Sequence, residues 1–123
     1  MRNGSRRALT DTEQQMLELL PSMIQKWEDV IGLSASRIRI KRMRSRWGSC
    51  NPRTRKITLN LELAKKPAHC LEYVIIHELV HLVERSHNRN FKSLMSHYLP
   101  RWKVIRKELN NKRSSEISQK QPR

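Results

Sequence analysis

The residues best equipped for chemistry lie between His77 and His87, in the run His-Glu-Leu-Val-His-Leu-Val-Glu-Arg-Ser-His. Two histidines four apart, with a glutamate directly after the first, put two imidazoles on one helical face and a carboxylate beside them. Four residues turn an α-helix by about 400°, so His77 and His81 stand about 40° apart in projection and about 6 Å apart in rise. Their ring nitrogens can then meet one ion at about 2.0 to 2.1 Å, the ligand distance of zinc. Glu78 lies about 100° around from His77, where it flanks the ion and addresses a bound water instead of completing the ligand set. The chemistry this pattern serves is metal-assisted hydrolysis.

Catalytic zinc usually has three protein ligands and an open position, so a third ligand is required. On an unbroken helix Glu84 aligns with both histidines but sits about 10.5 Å in rise from His77, too far to share an ion comfortably. His87 is the better candidate, and it imposes a structural condition. Six residues after His81 it points away on a continuous helix, so the helix is expected to end between Val83 and Ser86 and the chain to turn back. No glycine is present to make that turn. A non-glycine residue with positive φ is therefore expected there.

The elements that must position these groups can be read from periodicity. Thr10 and Glu13 have capping-box spacing, and Met16, Leu17, Leu20, Met23, Ile24, Trp27, Val30 and Ile31 recur at helical intervals, giving one amphipathic helix, or two joined at Pro21, that ends near Gly32. Ile38 and Ile40 then alternate with Arg37, Arg39 and Lys41, the pattern of a strand with one wet, basic face, and Met43 breaks the parity near Arg42. A turn over Asn51 to Arg55 leads to a second strand with Ile57, Leu59 and Leu61 on one side, and a small antiparallel sheet is expected. Pro67 opens a helix through Leu71, Val74, Ile75, Ile76, Leu79, Val80 and Leu82, apolar nearly all round and so expected to be the central buried helix. His77, Glu78 and His81 need partners on such a helix. Asn88 caps a further helix with Phe91, Leu94, Met95, Tyr98 and Leu99 inward, and Pro100 bends or restarts it before Trp102, Ile105 and Leu109.

Length and composition bound the rest. The 123 residues fit one domain, expected over 10–110, between a flexible start (1–9) and a disordered basic tail (111–123). Two cysteines, Cys50 and Cys70, without a C-x-x-C pair indicate neither a disulfide framework nor a cysteine zinc site. No long apolar run follows the basic start, so a soluble, cytoplasmic protein without a transmembrane segment is expected. The net charge of +15 predicts attraction to polyanions, or simply a solvated basic surface. Its densest cluster is Arg37, Arg39, Lys41, Arg42, Arg44 and Arg46, joined by Arg53, Arg55 and Lys56. Contacts of this kind to phosphates give affinity without sequence reading, and no helix-turn-helix or zinc-finger pattern accompanies them.

Arg46-Trp47-Gly48-Ser49-Cys50, a strand carrying Asn60, Tyr73 ahead of His77-Glu78-Leu79-Val80-His81-Leu82, then His87 with Phe91 four later form an ordered succession over roughly Ile38 to Leu109. It resembles the YgjP-like family of zinc metallopeptidases, and His87-x-x-x-Phe91 after H-E-x-x-H also resembles SprT-like metalloproteases, which act on proteins crosslinked to DNA. The resemblance implies an α+β fold in which a small antiparallel sheet packs on the H-E-x-x-H helix, flanked by an N-terminal helix and C-terminal helices. It also implies zinc held by His77, His81 and His87, with Glu78 as general base. Metzincin proteases share the histidine spacing but carry glycine where this chain has Glu84.

The expected function is hydrolysis of peptide bonds in a protein or peptide substrate by way of a zinc-bound water, with DNA-associated proteins as one class of target. The alternative is a basic nucleic-acid-binding module with a structural zinc, whose fourth ligand would come from Cys50, Cys70 or His97. Tyr98 or His97 is a candidate donor to the developing oxyanion. Trp47 is expected either to anchor the core or to wall the cleft, and Tyr73 either to pack or to border the site. A substrate strand could add to the exposed edge of the sheet, whichever strand that is.

Overall fold

Thr10 and Glu13 form the capping box that their spacing predicts: the Thr10 hydroxyl accepts from the Glu13 N–H at 3.1 Å, and the Glu13 carboxylate accepts from the Thr10 N–H at 3.0 Å. The computed structural model describes residues 8–111. In it, α1 (Asp11–Ile31) runs unbroken through the exposed Pro21 and ends at Gly32, whose φ of 83° and N–H bond to the Glu28 carbonyl make a left-handed cap. Met16, Leu20 and Trp27 form its buried stripe.

Three strands follow, β1 (Arg37–Lys41), β2 (Gly48–Asn51) and β3 (Lys56–Asn60), in the order β1-β3-β2. The sheet is mixed rather than antiparallel: β2 and β3 pair antiparallel through a tight turn, whereas β1 and β3 are parallel. The reason lies in the six residues 42–47, which carry the chain across the end of the sheet so that β3 returns between β1 and β2. Asn60 holds that crossing in place. Its side-chain amide donates to the carbonyls of Met43 (3.0 Å) and Arg46 (2.6 Å), and its side-chain oxygen accepts from the N–H groups of Met43 (3.3 Å) and Glu62 (3.0 Å). The last of these bonds caps a 3₁₀-helix (Leu61–Lys65), so the strand stops at Asn60 and Leu61 and Glu62 do not extend it. β1 ends at Lys41, where the parity of Met43 predicts it.

Three further helices complete the described chain: α2 (Ala68–Val80), α3 (Arg89–Tyr98) and α4 (Trp102–Asn111). Asn88 caps α3 by accepting from the Phe91 N–H at 2.9 Å. α2 touches α1, β2, β3, the 3₁₀-helix, α3 and α4, and from Tyr73 to Val80 every residue is buried. It is the central helix that its apolar perimeter predicts. Among the described residues no helix is long and apolar enough to cross a membrane. The expected flexible start and basic tail fall outside the described residues except at positions 8, 9 and 111, and Asn111 closes α4.

Arg42, at the end of β1, joins the first helix to the sheet. Its guanidinium pairs with the buried Glu13 at 2.7 Å and with Glu62. Lys65 and then Arg42 hold the Glu62 carboxyl below its ordinary value of 4.5, against the opposing effect of burial. A lowered folded-state value means stability that is present above about pH 4.5 and is lost as pH falls through the folded value. Glu62→Gln should therefore lower the melting temperature at pH 7, and the gap to wild type should narrow as pH falls below about 4.5 and through the lowered folded value. Thermal melts of both proteins between pH 7 and 3 check this, and a gap that does not narrow at all below pH 4.5 contradicts it.

Candidate metal centre

α2 supplies His77 from its last turn and His81 from its C-cap, both buried, while His87 comes from the segment leading into α3. Ligand atoms of the three histidines lie within 4.8 Å of one another. Their convergence depends on where α2 stops. The helix ends at Val80, three residues before the window that the spacing predicts, and its end tightens: the N–H groups of Leu82 and Val83 bond the carbonyls three residues back, at 3.0 Å each. His81 keeps φ of −65° and ψ of −12°. The expected positive φ is not found here; among the described non-glycine residues only Arg55, in the β2–β3 turn, has one (65°). A 3₁₀-like turn reverses the chain with right-handed backbone, so no left-handed residue is needed.

Hydrogen bonding fixes the ring orientations. The Glu84 carbonyl lies 2.8 Å from His81 Nδ1 and can only accept, so Nδ1 carries the proton, which in the neutral ring leaves the lone pair on Nε2. That Nε2 stands 3.0 Å from His87 Nε2. Two nitrogens each bound at 2.0 to 2.1 Å to one tetrahedral ion are about 3.3 Å apart, so this approach suits a shared cation. The donor set is three imidazoles, which suits zinc among other divalent ions. The residues fit the metal.

Phe91, buried on α3, lies against all three rings, with centroids 5.1, 4.6 and 4.8 Å from those of His77, His81 and His87. The loop before it is clamped by Glu84. Its carboxylate accepts from the side-chain amides of Asn88 (2.9 Å) and Asn90 (3.1 Å), which hold its carboxyl below the ordinary range. Glu84 is thus no ligand in this geometry; it orders the segment that presents His87.

Glu78 is buried with its carboxylate 3.2 Å from His77 Nδ1, and it lines a cleft of about 620 Å³ together with His81, His87, Cys50 and Asn51. Across the site, β2 comes close because Gly48 has no side chain. A Cβ there would stand 2.7 Å from Val74 Cγ1 and 3.1 Å from Glu78 Oε2. Trp47 is buried and donates from its indole to the Asn110 side chain at 3.1 Å, so it anchors the core while also bordering a small recess with Tyr73, His77 and Glu78. Tyr73 both packs and borders, its ring 5.6 Å from His77.

The sequence profile of the YgjP-like metallopeptidase domain matches residues 2–112. The chain belongs to the YgjP-like metallopeptidase family. Among solved structures, this YgjP-like chain is similar to the metallopeptidase zymogen abylysin of Pyrococcus abyssi, at 20% identity and a TM-score of 0.68 over 79% of this chain and 97% of that one. It is similar also to the metallopeptidase zymogen jannalysin of Methanocaldococcus jannaschii, at 21% identity and a TM-score of 0.62 over 72% and 90%. These likenesses concern the fold. Among curated proteins none matches.

Other expected participants are distributed differently. His97 and Tyr98 pack on each other at the end of α3 and are not among the residues lining the cleft, so neither is placed to assist an oxyanion there. For a structural site, Cys70 is fully buried beside His69 and Glu108, its thiol pushed up to about 11 by burial, and Cys50 lines the cleft outside the three-histidine group. The basic cluster divides. Arg37, Arg39, Lys41, Arg44 and Lys56 are exposed, Arg46 and Arg53 line the cleft, Arg42 is paired, and Arg55 donates to the Ser34 carbonyl at 2.6 Å. Sequence reasoning missed the positioning roles of Gly48, Asn60 and Glu84, and the cleft residue Arg85. Only Gly48 and Asn60 had a signal, as members of the family's motifs.

Gly48→Ala should push β2 and the Glu78 carboxylate apart. We expect a loss of about 1 to 3 kcal/mol in stability, read by urea denaturation, with metal content retained and peptide hydrolysis reduced. Wild-type hydrolysis in this variant contradicts the close-approach argument.

Proposed function

We propose that this metallopeptidase is zinc-dependent, that His77, His81 and His87 hold the ion and that Glu78 is the general base. The observation that carries the reading is the meeting of three imidazoles, with ligand atoms within 4.8 Å of one another, and a buried carboxylate in one cleft. When bound, the ion supplies a Lewis acid that lowers the pKa of water and polarises a carbonyl. Glu78 takes the proton from the attacking water and returns it to the departing amine. Burial of Glu78 beside His77 keeps the carboxylate in one orientation during both transfers. Phe91 and the Glu84 carbonyl keep the imidazoles in the tautomer and pose that binding requires.

Edge geometry supports an extended substrate. β2 is a terminal strand of the sheet, and its residues Cys50 and Asn51 line the cleft. A peptide laid along β2 pairs its backbone with the strand, which gives affinity with little dependence on sequence. The domain is proposed to span 10–110.

Glu78→Gln tests the assignment. The variant should retain fold and bound zinc while hydrolysis falls by about 10²- to 10⁴-fold, and His87→Ala should weaken zinc binding in a chelator competition. Glu78→Gln with undiminished, zinc-dependent hydrolysis removes Glu78 from the mechanism.

The other edge of the sheet supports a second feature. Arg37, Arg39 and Lys41 stand exposed along β1, and among the described residues none of them enters a salt bridge. This row supports a sequence-independent contact with nucleic acid that brings DNA-associated proteins to the cleft. Replacing all three by alanine should weaken duplex DNA binding and reduce the salt slope by about 3, since each phosphate contact contributes about 0.9. An unchanged slope refutes the contact.

A further inference from the structure

We propose that Arg46, Arg53 and Arg85 make the cleft selective for peptides with acidic side chains close to the scissile bond. The inference rests on the peptidase reading of the cleft and names its substrate class. The three arginines come from separate segments: the crossing that precedes β2, the β2–β3 turn and the loop between α2 and α3. The fold brings all three to the wall of the cleft that holds Glu78, His81 and His87.

Their guanidinium groups are uncommitted. All three residues are exposed, and among the described residues none of their side chains enters a salt bridge. The contrast with Arg42 and Arg55 is instructive, because those two are held by Glu13, Glu62 and the Ser34 carbonyl and serve the fold. Among the described residues lining the cleft Glu78 is the one carboxylate, and it is buried. A concave site with three cations on its rim and its one acid at the floor concentrates negative charge from solution. Guanidinium binds carboxylate through paired, charge-assisted hydrogen bonds, which set position as well as affinity.

Peptide is favoured over nucleic acid as occupant because β2 borders the same cleft as an edge strand. Its alternating N–H and C=O groups match an extended peptide. A polynucleotide backbone offers phosphates to the arginines but no such alternation to the strand.

The test separates binding from hydrolysis. Zinc-loaded Glu78→Gln protein is titrated with fluorescent peptides of one length that carry Asp and Glu, Asn and Gln, or Lys around a central bond. Wild type is assayed for cleavage of the same set. The acidic peptide should bind about tenfold more tightly than its amide counterpart at low salt, and the ratio should fall towards one in Arg46→Gln/Arg53→Gln/Arg85→Gln and at high salt. Arg101→Gln, which removes one positive charge outside the cleft lining, should leave the ratio unchanged. Cleavage of acidic and amide peptides with equal kcat/KM, together with equal binding, overturns the charge inference and leaves the peptidase reading standing. Selective binding of the acidic peptide with no cleavage by wild type supports the charge inference while the peptidase reading fails. If a single-stranded oligonucleotide binds more tightly than the acidic peptide and loses that affinity in the triple variant, nucleic acid is the occupant and the proposal is overturned.

Discussion

Three imidazoles meet although the third, His87, stands six residues after His81 and beyond the end of α2, and much of the site follows from that convergence. α2 stops at Val80, and the chain turns back before another regular turn carries the backbone away from the point where His77 and His81 converge. The chain reverses in a tight turn whose bonds span three residues, and the Glu84 carbonyl at the end of that turn accepts from His81 Nδ1. One backbone group thus finishes the turn and fixes a ring. The Glu84 carboxylate then holds Asn88 and Asn90. Asn88 starts α3, and α3 delivers Phe91 to the back of the three rings. Loop, cap and aromatic contact form one chain of causes.

The sheet closes the site from the other side. Burying Glu78 requires a wall that approaches closely, and Gly48 permits it by leaving its Cβ position to Val74 and Glu78. Asn60 makes that wall possible: three hydrogen bonds from one fully buried amide side chain fold residues 42–47 over the end of β3 and so place Trp47 and Gly48 at the head of β2, while a fourth caps the 3₁₀-helix. An amide is suited to this task because it both donates and accepts, and the crossing leaves backbone groups of both kinds to satisfy.

Charge is sorted by the same architecture. A net charge of +15 indicates attraction to anions without saying where. Folding turns Arg42 into a structural tie between α1, β1 and the 3₁₀-helix, sets Arg37, Arg39 and Lys41 along one edge of the sheet, and sends Arg46, Arg53 and Arg85 to the cleft on the other. Residues two or four apart in the chain therefore end with unrelated tasks.

The sequence by itself determined the local features. Capping at Thr10 and Asn88, the end of α1 at Gly32, the end of β1 before Met43 and the burial of α2 were all legible, because each depends on side chains within a few residues of one another or on one periodic stripe. The pairing of His77, Glu78 and His81 was legible for the same reason. Tertiary structure decided what depends on contacts between distant segments: the parallel pairing of β1 with β3, the end of the strand at Asn60, the early stop of α2, and the arrival of Arg85 beside Arg46 and Arg53. Periodicity gives a strand its faces but not its neighbour, and a helix its stripe but not its last residue. The neighbour here goes with an asparagine bridging a crossing, and the last residue with a tight turn that brings His87 back beside His77 and His81.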